Sequence, residues 1–165
     1  MKRDRIGHDG GMGFQAHMQA ALDEARAAGD RGEVPVGAVV VASDGTVLAR
    51  AGNAMRAMRD PTAHAEMLAL RAACARIGSE RLTGCTLYVT LEPCPMCAGA
   101  IAAARVDRVV FGAADPKSGG VLHGPRVFAH PQSHHKPEIV DGVGEPEAAA
   151  LLRDFFAARR GSATE

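Results

Sequence analysis

The 165-residue sequence lacks any apolar run approaching the roughly 20 residues that a membrane-spanning helix needs. Its N-terminal segment also lacks the apolar core and the small-residue cleavage site of a secretory signal. These two absences predict a cytoplasmic protein with no membrane partner. Residues 1–13 are predicted to form a flexible N-terminal tail and residues 161–165 a short C-terminal tail.

Excess charge of one sign is also missing, because 19 Lys and Arg residues balance 19 Asp and Glu residues. A protein that binds nucleic acid mainly through counterion release is usually basic. Any RNA partner would therefore have to be held by a local patch or a specific pocket. Cysteine is scarce as well, and four cysteines in a chain without an export signal argue against a disulfide framework.

Apolar residues alternate between helical and strand-like spacing, which predicts one layered α/β domain over residues 14–160. The strand at 86–91 is mostly apolar and should be central, and a right-handed crossover should make it parallel to the next strand. Residues 113–137 are rich in Gly, Pro and His and predict a long functional loop. The predicted helices are 14–29, 64–77, 94–105 and 145–160, and the predicted strands are 34–41, 46–51, 86–91, 108–112 and 138–140.

One pattern of metal-ligand residues dominates the sequence. His64-Ala65-Glu66 is followed, 26 residues later, by Pro93-Cys94-Pro95-Met96-Cys97. A catalytic zinc site uses three protein ligands and keeps its fourth position for water. Both motifs fall at predicted helix starts, where the dipole favours thiolate over thiol. The sequence therefore predicts one Zn²⁺ per subunit, held by His64, Cys94 and Cys97.

Glu66 is the predicted catalytic residue. Two thiolates and a neutral imidazole cancel the charge of the ion, so a nearby base is needed to activate the water. Glu66 lies two residues beyond a ligand, and residues with that spacing do not share a face of a regular helix. The prediction therefore requires the substrate to sit over the end of the helix.

Two simpler interpretations stand beside this one. The cysteine pair could be a thioredoxin-like redox motif, although His64-Ala65-Glu66 would then have no purpose. A structural zinc site needs a fourth protein ligand, and several residues could supply one. These candidate fourth ligands are Cys74, Cys85, His123, His130, His134 and His135. Cys74 and Cys85 are otherwise expected to be small core residues, Asn53 to serve a turn, and Phe155 and Phe156 to lie in the core.

The sequence resembles the bacterial tRNA-specific adenosine deaminases, a branch of the zinc-dependent cytidine and deoxycytidylate deaminase superfamily. The resemblance covers residues 14–160, and it weakens over residues 116–137. The shared combination of H-x-E with P-C-x-x-C is the signature of the zinc deaminases. The motifs that carry the resemblance are 33–38, 60–66, 87–94, 96–100, 108–113 and 151–156.

This resemblance implies a cytidine-deaminase-like, three-layer α/β/α sandwich with a central five-stranded mixed sheet. It also implies a homodimer that acts on a tRNA anticodon stem-loop. The residues it assigns to substrate binding are Asn53, Val34 and Ala65 around the base, Asp115 near the backbone of the flipped nucleotide, and Phe155 and Phe156 toward the anticodon loop.

The reaction that the resemblance implies is hydrolytic deamination of adenosine to inosine at the wobble position of an arginine tRNA, with release of ammonia. Glu66 would carry the proton from water to the purine ring. Asn53 would hold the edge of the base. An alternative is a deaminase of a free base or nucleoside, such as guanine or cytosine, with the same zinc site. A more remote alternative is a zinc-stabilised binding module without activity.

Overall fold

The computed structural model describes residues 10–162 of the chain, and these form five α-helices, one 3₁₀ helix and a five-stranded sheet. The helices are α1 (Gly10–Asp30), α2 (Met55–Met58), α3 (Ala65–Ile77), α4 (Pro95–Ala103) and α5 (Glu145–Ser162). The strands are β1 (Gly37–Val41), β2 (Val47–Gly52), β3 (Thr86–Leu91), β4 (Arg108–Ala113) and β5 (Glu138–Val140). The 3₁₀ helix is Val127–Ala129.

The sheet is mixed, with strand order β2-β1-β3-β4-β5. β1 pairs antiparallel with both β2 and β3, whereas β3, β4 and β5 run parallel. The prediction of a central third strand parallel to the fourth is confirmed. Within the described residues, no helix is long and apolar enough to cross a bilayer.

Alternating side chains of the sheet enter two separate cores, which gives the predicted three-layer sandwich. Leu87, Val89 and Phe111 point to the face covered by α3 and α4. Tyr88 and Val110 point to the opposite face, covered by α1 and α5. Gly37 in β1 lies directly against the backbone of α1, where any Cβ would overlap the Ala21 carbonyl. This close approach fixes the position of α1 on the sheet.

The helix termini differ from the sequence predictions. α1 begins at Gly10, so residues 10–13 are helical, while residues 1–9 of the predicted tail lie outside the described residues. α1 also passes through Gly29, the predicted end, and the left-handed residue after it is Gly32, with φ of 85°. At the C-terminus α5 includes residues 161 and 162, and residues 163–165 lie outside the described part.

Two short helices within predicted loops were missed. α2 occupies four residues of the connection between β2 and α3, and the 3₁₀ helix interrupts the long loop before β5. The first predicted strand is also shorter than expected. Val36 N–H donates to the Val34 carbonyl at 2.8 Å, and this tight turn delays the start of β1 to Gly37.

Candidate metal centre and active site

The three predicted metal ligands stand at the N-terminal ends of two helices on the same side of the sheet. His64 is the N-cap of α3 and Cys94 the N-cap of α4, both with extended backbone angles. Cys97 lies buried in the first turn of α4. Pro95 opens α4, where its missing N–H costs nothing and its fixed φ favours a helix start.

The ligand atoms have the spacing of a tetrahedral zinc site. His64 Nδ1 lies 3.7 Å from Cys94 Sγ and 3.6 Å from Cys97 Sγ. All three atoms lie within 4.8 Å of one another. Zinc bonds of about 2.0–2.1 Å to nitrogen and 2.3 Å to sulfur place such ligand atoms about 3.6 Å apart in a tetrahedron. The chemistry and the geometry of the donors both fit zinc.

The two thiols differ in proton affinity. A hydrogen bond from the Cys97 thiol lowers the pKa of Cys94 to about 5 against the opposing effect of burial, and the amides of Cys97 and Met96 help. The same contact with Cys94, together with burial, raises the pKa of Cys97. Binding of both sulfurs to a metal ion as thiolates therefore requires the Cys97 thiol to lose its proton.

Glu66 lies beside these ligands, buried to 4% exposure in the first turn of α3. Burial raises the pKa of its carboxyl group, while its hydrogen bond with Cys97 acts in the opposite direction. The two-residue spacing between Glu66 and His64 does not prevent their side chains from lying together. Because His64 is extended and precedes the helix, both side chains can face the same helix end.

A fourth protein ligand is not found in the part of the chain that the structure describes. His64, Cys94 and Cys97 are the one group of three or more His, Cys, Asp or Glu side chains there with metal-ligand spacing. Cys85 is buried in the core and Cys74 packs against it. Burial raises the pKa of both of these thiols. The three-ligand arrangement favours a catalytic centre over a structural zinc site.

Asn53, Val34 and Ala65 are brought together by hydrogen bonds beside the metal ligands. The Asn53 side-chain oxygen accepts the Ala65 amide at 2.8 Å, and its Nδ2 donates to the Val34 carbonyl at 3.1 Å. Asn53 is only 5% exposed. Its side chain therefore supports the first turn of α3, and its predicted contact with a base can use the second Nδ2 proton or the second lone pair of Oδ1.

Glu33, which the sequence analysis did not single out, organises the segment after Asn53. It is 2% exposed, and its carboxylate accepts the amides of Arg56 at 3.2 Å and Ala57 at 2.9 Å. These amides belong to the first turn of α2, where a negative charge satisfies unpaired donors. A single acidic side chain from the turn that follows α1 thus shapes the loop that carries Asn53.

Glu92 plays the same part for the loop on the other side of the metal ligands. Its carboxylate is fully buried and accepts the amides of Asp115, Val121, Leu122 and His123 at 3.0–3.2 Å. His123 Nδ1 lies 2.7 Å from Glu92 Oε1. Burial tends to raise the pKa of Glu92, but these hydrogen bonds prevail and lower it. The carboxylate therefore stays charged and holds the segment 115–123.

The segment 115–123 contacts the turn that carries Cys94 directly. Gly120 N–H donates to the Pro93 carbonyl at 2.8 Å. A Cβ at Gly120 would come within 2.6 Å of Pro95 N and 2.9 Å of the Cys94 carbonyl carbon, so only glycine allows this approach. The sequence contains one signal for this role of Glu92, which is the position of an acidic residue directly after the buried apolar strand Thr86–Leu91.

The remaining predicted site residues lie at the rim. Asp115 is half-buried, and its side-chain oxygen accepts the Ser118 amide at 3.1 Å. Phe155 and Phe156 meet edge to face with ring centroids 5.4 Å apart, and Phe156 is 44% exposed. The expectation that both phenylalanines are core residues is wrong, because Phe155 is half-buried outside the two described core clusters and Phe156 is exposed. α5 is amphipathic, and Phe156 lies on its solvent side.

Comparisons with known proteins agree with this site. The family model for the cytidine and deoxycytidylate deaminase zinc-binding region matches residues 14–113. The chain is 54% identical over 87% of its length to a tRNA-specific adenosine deaminase of Agrobacterium fabrum, of which the match covers 93%.

Two solved structures are similar in fold. One, from a study of A-to-I editing by tRNA:A34 deaminases at the wobble position of transfer RNA, has a TM-score of 0.81 and 53% identity over 83% of this chain and 99% of its own. The other, a guanine deaminase from Nitrosomonas europaea, has a TM-score of 0.71 and 26% identity over 87% of this chain and 84% of its own.

The range matched by the family model contains His64, Cys94 and Cys97. Zinc is accordingly the cofactor that His64, Cys94 and Cys97 bind. The chain belongs to the cytidine and deoxycytidylate deaminase zinc-binding family.

Proposed function

We propose that the protein is a hydrolytic deaminase that converts adenosine to inosine at the wobble position of a tRNA anticodon. The observation that carries this proposal is the 54% identity to a tRNA-specific adenosine deaminase over 87% of the chain, together with the three-ligand centre of His64, Cys94 and Cys97. An RNA substrate of this kind would place the reaction in the cytoplasm.

The proposed chemistry replaces the exocyclic amine of adenine by oxygen, so that adenosine and water give inosine and ammonia. Zinc, when bound, supplies a water molecule acidic enough to act as the nucleophile. Glu66 would take one proton from the attacking water and deliver it to ring nitrogen 1, and would then pass the remaining proton of that oxygen to the amine, which leaves as ammonia. The raised pKa of Glu66 suits it to hold a proton between these transfers.

The groups around Glu66 are suited to orient a base that has left its stack. Flipping a nucleotide costs a few kcal/mol and costs least in a single-stranded loop. Val34, Asn53 and Ala65 are linked to one another by hydrogen bonds next to His64. They are the proposed walls and polar contact of the base pocket. Asp115 and the two phenylalanines are proposed to meet the flanking RNA.

A free-base deaminase is the second candidate, and the structural likeness to a guanine deaminase supports it. That likeness is 26% in identity, against 53% for the structure from the tRNA deaminase study. Guanine and adenosine carry different groups on their rings, and the pocket around the zinc centre has to distinguish them. The same zinc centre can therefore serve a pocket for either one.

The test incubates the zinc-loaded protein with an anticodon stem-loop that carries a wobble adenosine, and separately with adenosine, guanine and cytosine. Inosine in the RNA and ammonia in solution are measured. Inosine in the stem-loop alone supports the proposal. Ammonia from guanine or cytosine, with unmodified RNA, would replace it with base salvage. A stem-loop with guanosine at the wobble position is the matched control.

We propose further that the protein is a homodimer, because α4 presents apolar residues on its outer side. Gly99 and Ala103 are exposed, and Met96 is 38% exposed. A helix that is apolar all round is normally buried. A cavity of about 520 Å³ between α4 and residues 125–134 adjoins this surface.

Sedimentation analysis should give twice the chain mass for the native protein and a monomer for Ala103→Glu; a native monomer contradicts the dimer.

A further inference from the structure

Two arginine side chains from distant parts of the chain converge on one main-chain oxygen. The Gly32 carbonyl accepts Arg159 Nη2 at 2.7 Å and Arg56 Nη1 at 3.3 Å. Arg159 comes from the end of α5 and Arg56 from α2. The left-handed turn at Gly32, which ends α1, presents this oxygen.

A third arginine connects this group to the proposed base pocket. Arg31 Nη2 donates to the Asn53 carbonyl at 3.5 Å. The side chain of Asn53 in turn accepts the Ala65 amide next to His64. Arg31, Arg56 and Arg159, called the arginine cluster below, therefore lie at the edge of the segment that supports the metal site. All three side chains are exposed to solvent.

Two members of this cluster, Arg31 and Arg56, lack acidic partners for their side chains in the described part of the chain. Within residues 10–162 no carboxylate lies at ion-pair distance from Arg31 or Arg56. Glu33 contacts Arg56 at its main-chain amide, and its two carboxylate oxygens accept main-chain amides of α2. An anion near Arg31 and Arg56 would be attracted by both positive charges. A guanidinium carries five N–H donors arranged to bind phosphate oxygens.

An aromatic surface lies beside the cations. The Arg159 guanidinium covers the Phe155 ring at 4.4 Å from its centroid, and Phe156 is half-exposed next to it. Cationic groups that follow a backbone, next to rings on which bases stack, are typical of single-stranded nucleic-acid sites. The chain has no net charge, so such a site must be local.

We propose that the arginine cluster binds a backbone phosphate of the RNA strand that enters the active site, with Arg31 and Arg56 as its principal contacts. This inference rests on the proposed RNA substrate. The phosphate neutralises the two side chains, and Phe155 and Phe156 receive a neighbouring base. The contact contributes to RNA affinity and not to the chemical step.

The test measures binding of the anticodon stem-loop by fluorescence anisotropy at several salt concentrations, with the full-length zinc-loaded protein. Arg56→Ala should weaken binding about tenfold at low salt and lower the slope of log affinity against log salt by about one. Arg56→Lys keeps the charge and should preserve most of that slope. Arg76→Ala is the matched control, because Arg76 is another exposed arginine that donates to a main-chain carbonyl, at Val47.

The outcomes separate this inference from the proposed function because inosine formation is scored in parallel. If the native protein edits the stem-loop and Arg56→Ala matches Arg76→Ala in salt slope, the cluster assignment is wrong and the function stands. If the protein binds no stem-loop at all, both fall together. Loss of binding by Arg56→Ala with an unchanged melting temperature and unchanged zinc content supports the cluster.

Discussion

The metal-binding turns and the two flanking loops of the active site are built in different ways. The turns at His64 and Cys94 are N-caps of α3 and α4, so their geometry comes from a few consecutive residues and the helices that follow. The flanking loops are each organised by one buried carboxylate from a distant residue. Glu33 holds α2, and Glu92 holds the segment 115–123.

This contrast separates chemistry from substrate positioning. A short local motif can maintain a metal centre on many related proteins because its neighbours need only form a helix. Loops that meet the substrate require a partner across the fold, and a change in the loop can alter the substrate without altering the metal. Four variants, taken from the largest expected effect to the smallest, test this division.

Removal of a ligand should abolish the metal centre. Cys94→Ala is expected to lose bound zinc and with it all measurable deamination, because two ligands do not hold zinc in a catalytic site. Elemental analysis after dialysis measures the metal. Cys74→Ala is the control, since Cys74 packs in the core away from the ligands and should retain the metal. Full zinc content in Cys94→Ala would remove Cys94 from the ligand set.

Loss of the proton carrier should spare the metal. Glu66→Gln keeps the size of the side chain and should reduce kcat by about 10³-fold or more, because the glutamine cannot accept a proton. Zinc content and melting temperature should stay close to those of the native protein. Turnover within a few-fold of the native rate would falsify the assigned role of Glu66.

Neutralisation of Glu92 should loosen the loop while the metal remains. Glu92→Gln places an N–H₂ group against main-chain donors, and hydrogen bonds to a charged group are worth about 1.5–3 kcal/mol. We expect a lower melting temperature, faster hydrogen exchange of the Val121 and His123 amides, and a loss of about tenfold in kcat/KM. Exposed Glu138→Gln is the control. Unchanged exchange at those amides contradicts the role of Glu92.

Asn53→Ala should give the smallest effect on the fold and a selective effect on the substrate. The variant removes the side-chain acceptor for the Ala65 amide, which is expected to cost about 1 kcal/mol of stability, as loss of a helix N-cap does. Zinc content should not change, whereas kcat/KM for the RNA should fall. If only stability changes, Asn53 supports the helix and does not contact the base.

The parts of the molecule that were predictable from sequence are those with local causes. Apolar runs and periodicity predicted β3 and β5 with their observed bounds, and the cysteine and histidine spacing predicted the three-ligand centre. α2 was missed because four residues have no periodic signal and its cap, Glu33, precedes it by more than twenty residues. The role of Glu92 was also missed, because the main-chain amides that it binds lie 23 to 31 residues further along the chain.

Amphipathic patterns were also insufficient for the last helix. Phe155 and Phe156 are adjacent, and a helix turns by about 100° per residue, so two consecutive aromatic residues cannot both face the same core. The sequence alone did not indicate which one is exposed. Packing of α5 against α1 and β4 leaves Phe155 half-buried outside the described core clusters and Phe156 toward solvent.

The connection between β4 and β5 is attached to the domain at two places. Glu92 holds its beginning, and Phe128 in the core together with the His135–Val106 contact holds its end. Residues 130–132, which lie between Phe128 and His135, are exposed. Insertions or grafted recognition sequences should therefore be tolerated at that short stretch and rejected before Gly124. The outer part of the connection between β4 and β5 can therefore be exchanged while the reaction centre is left intact.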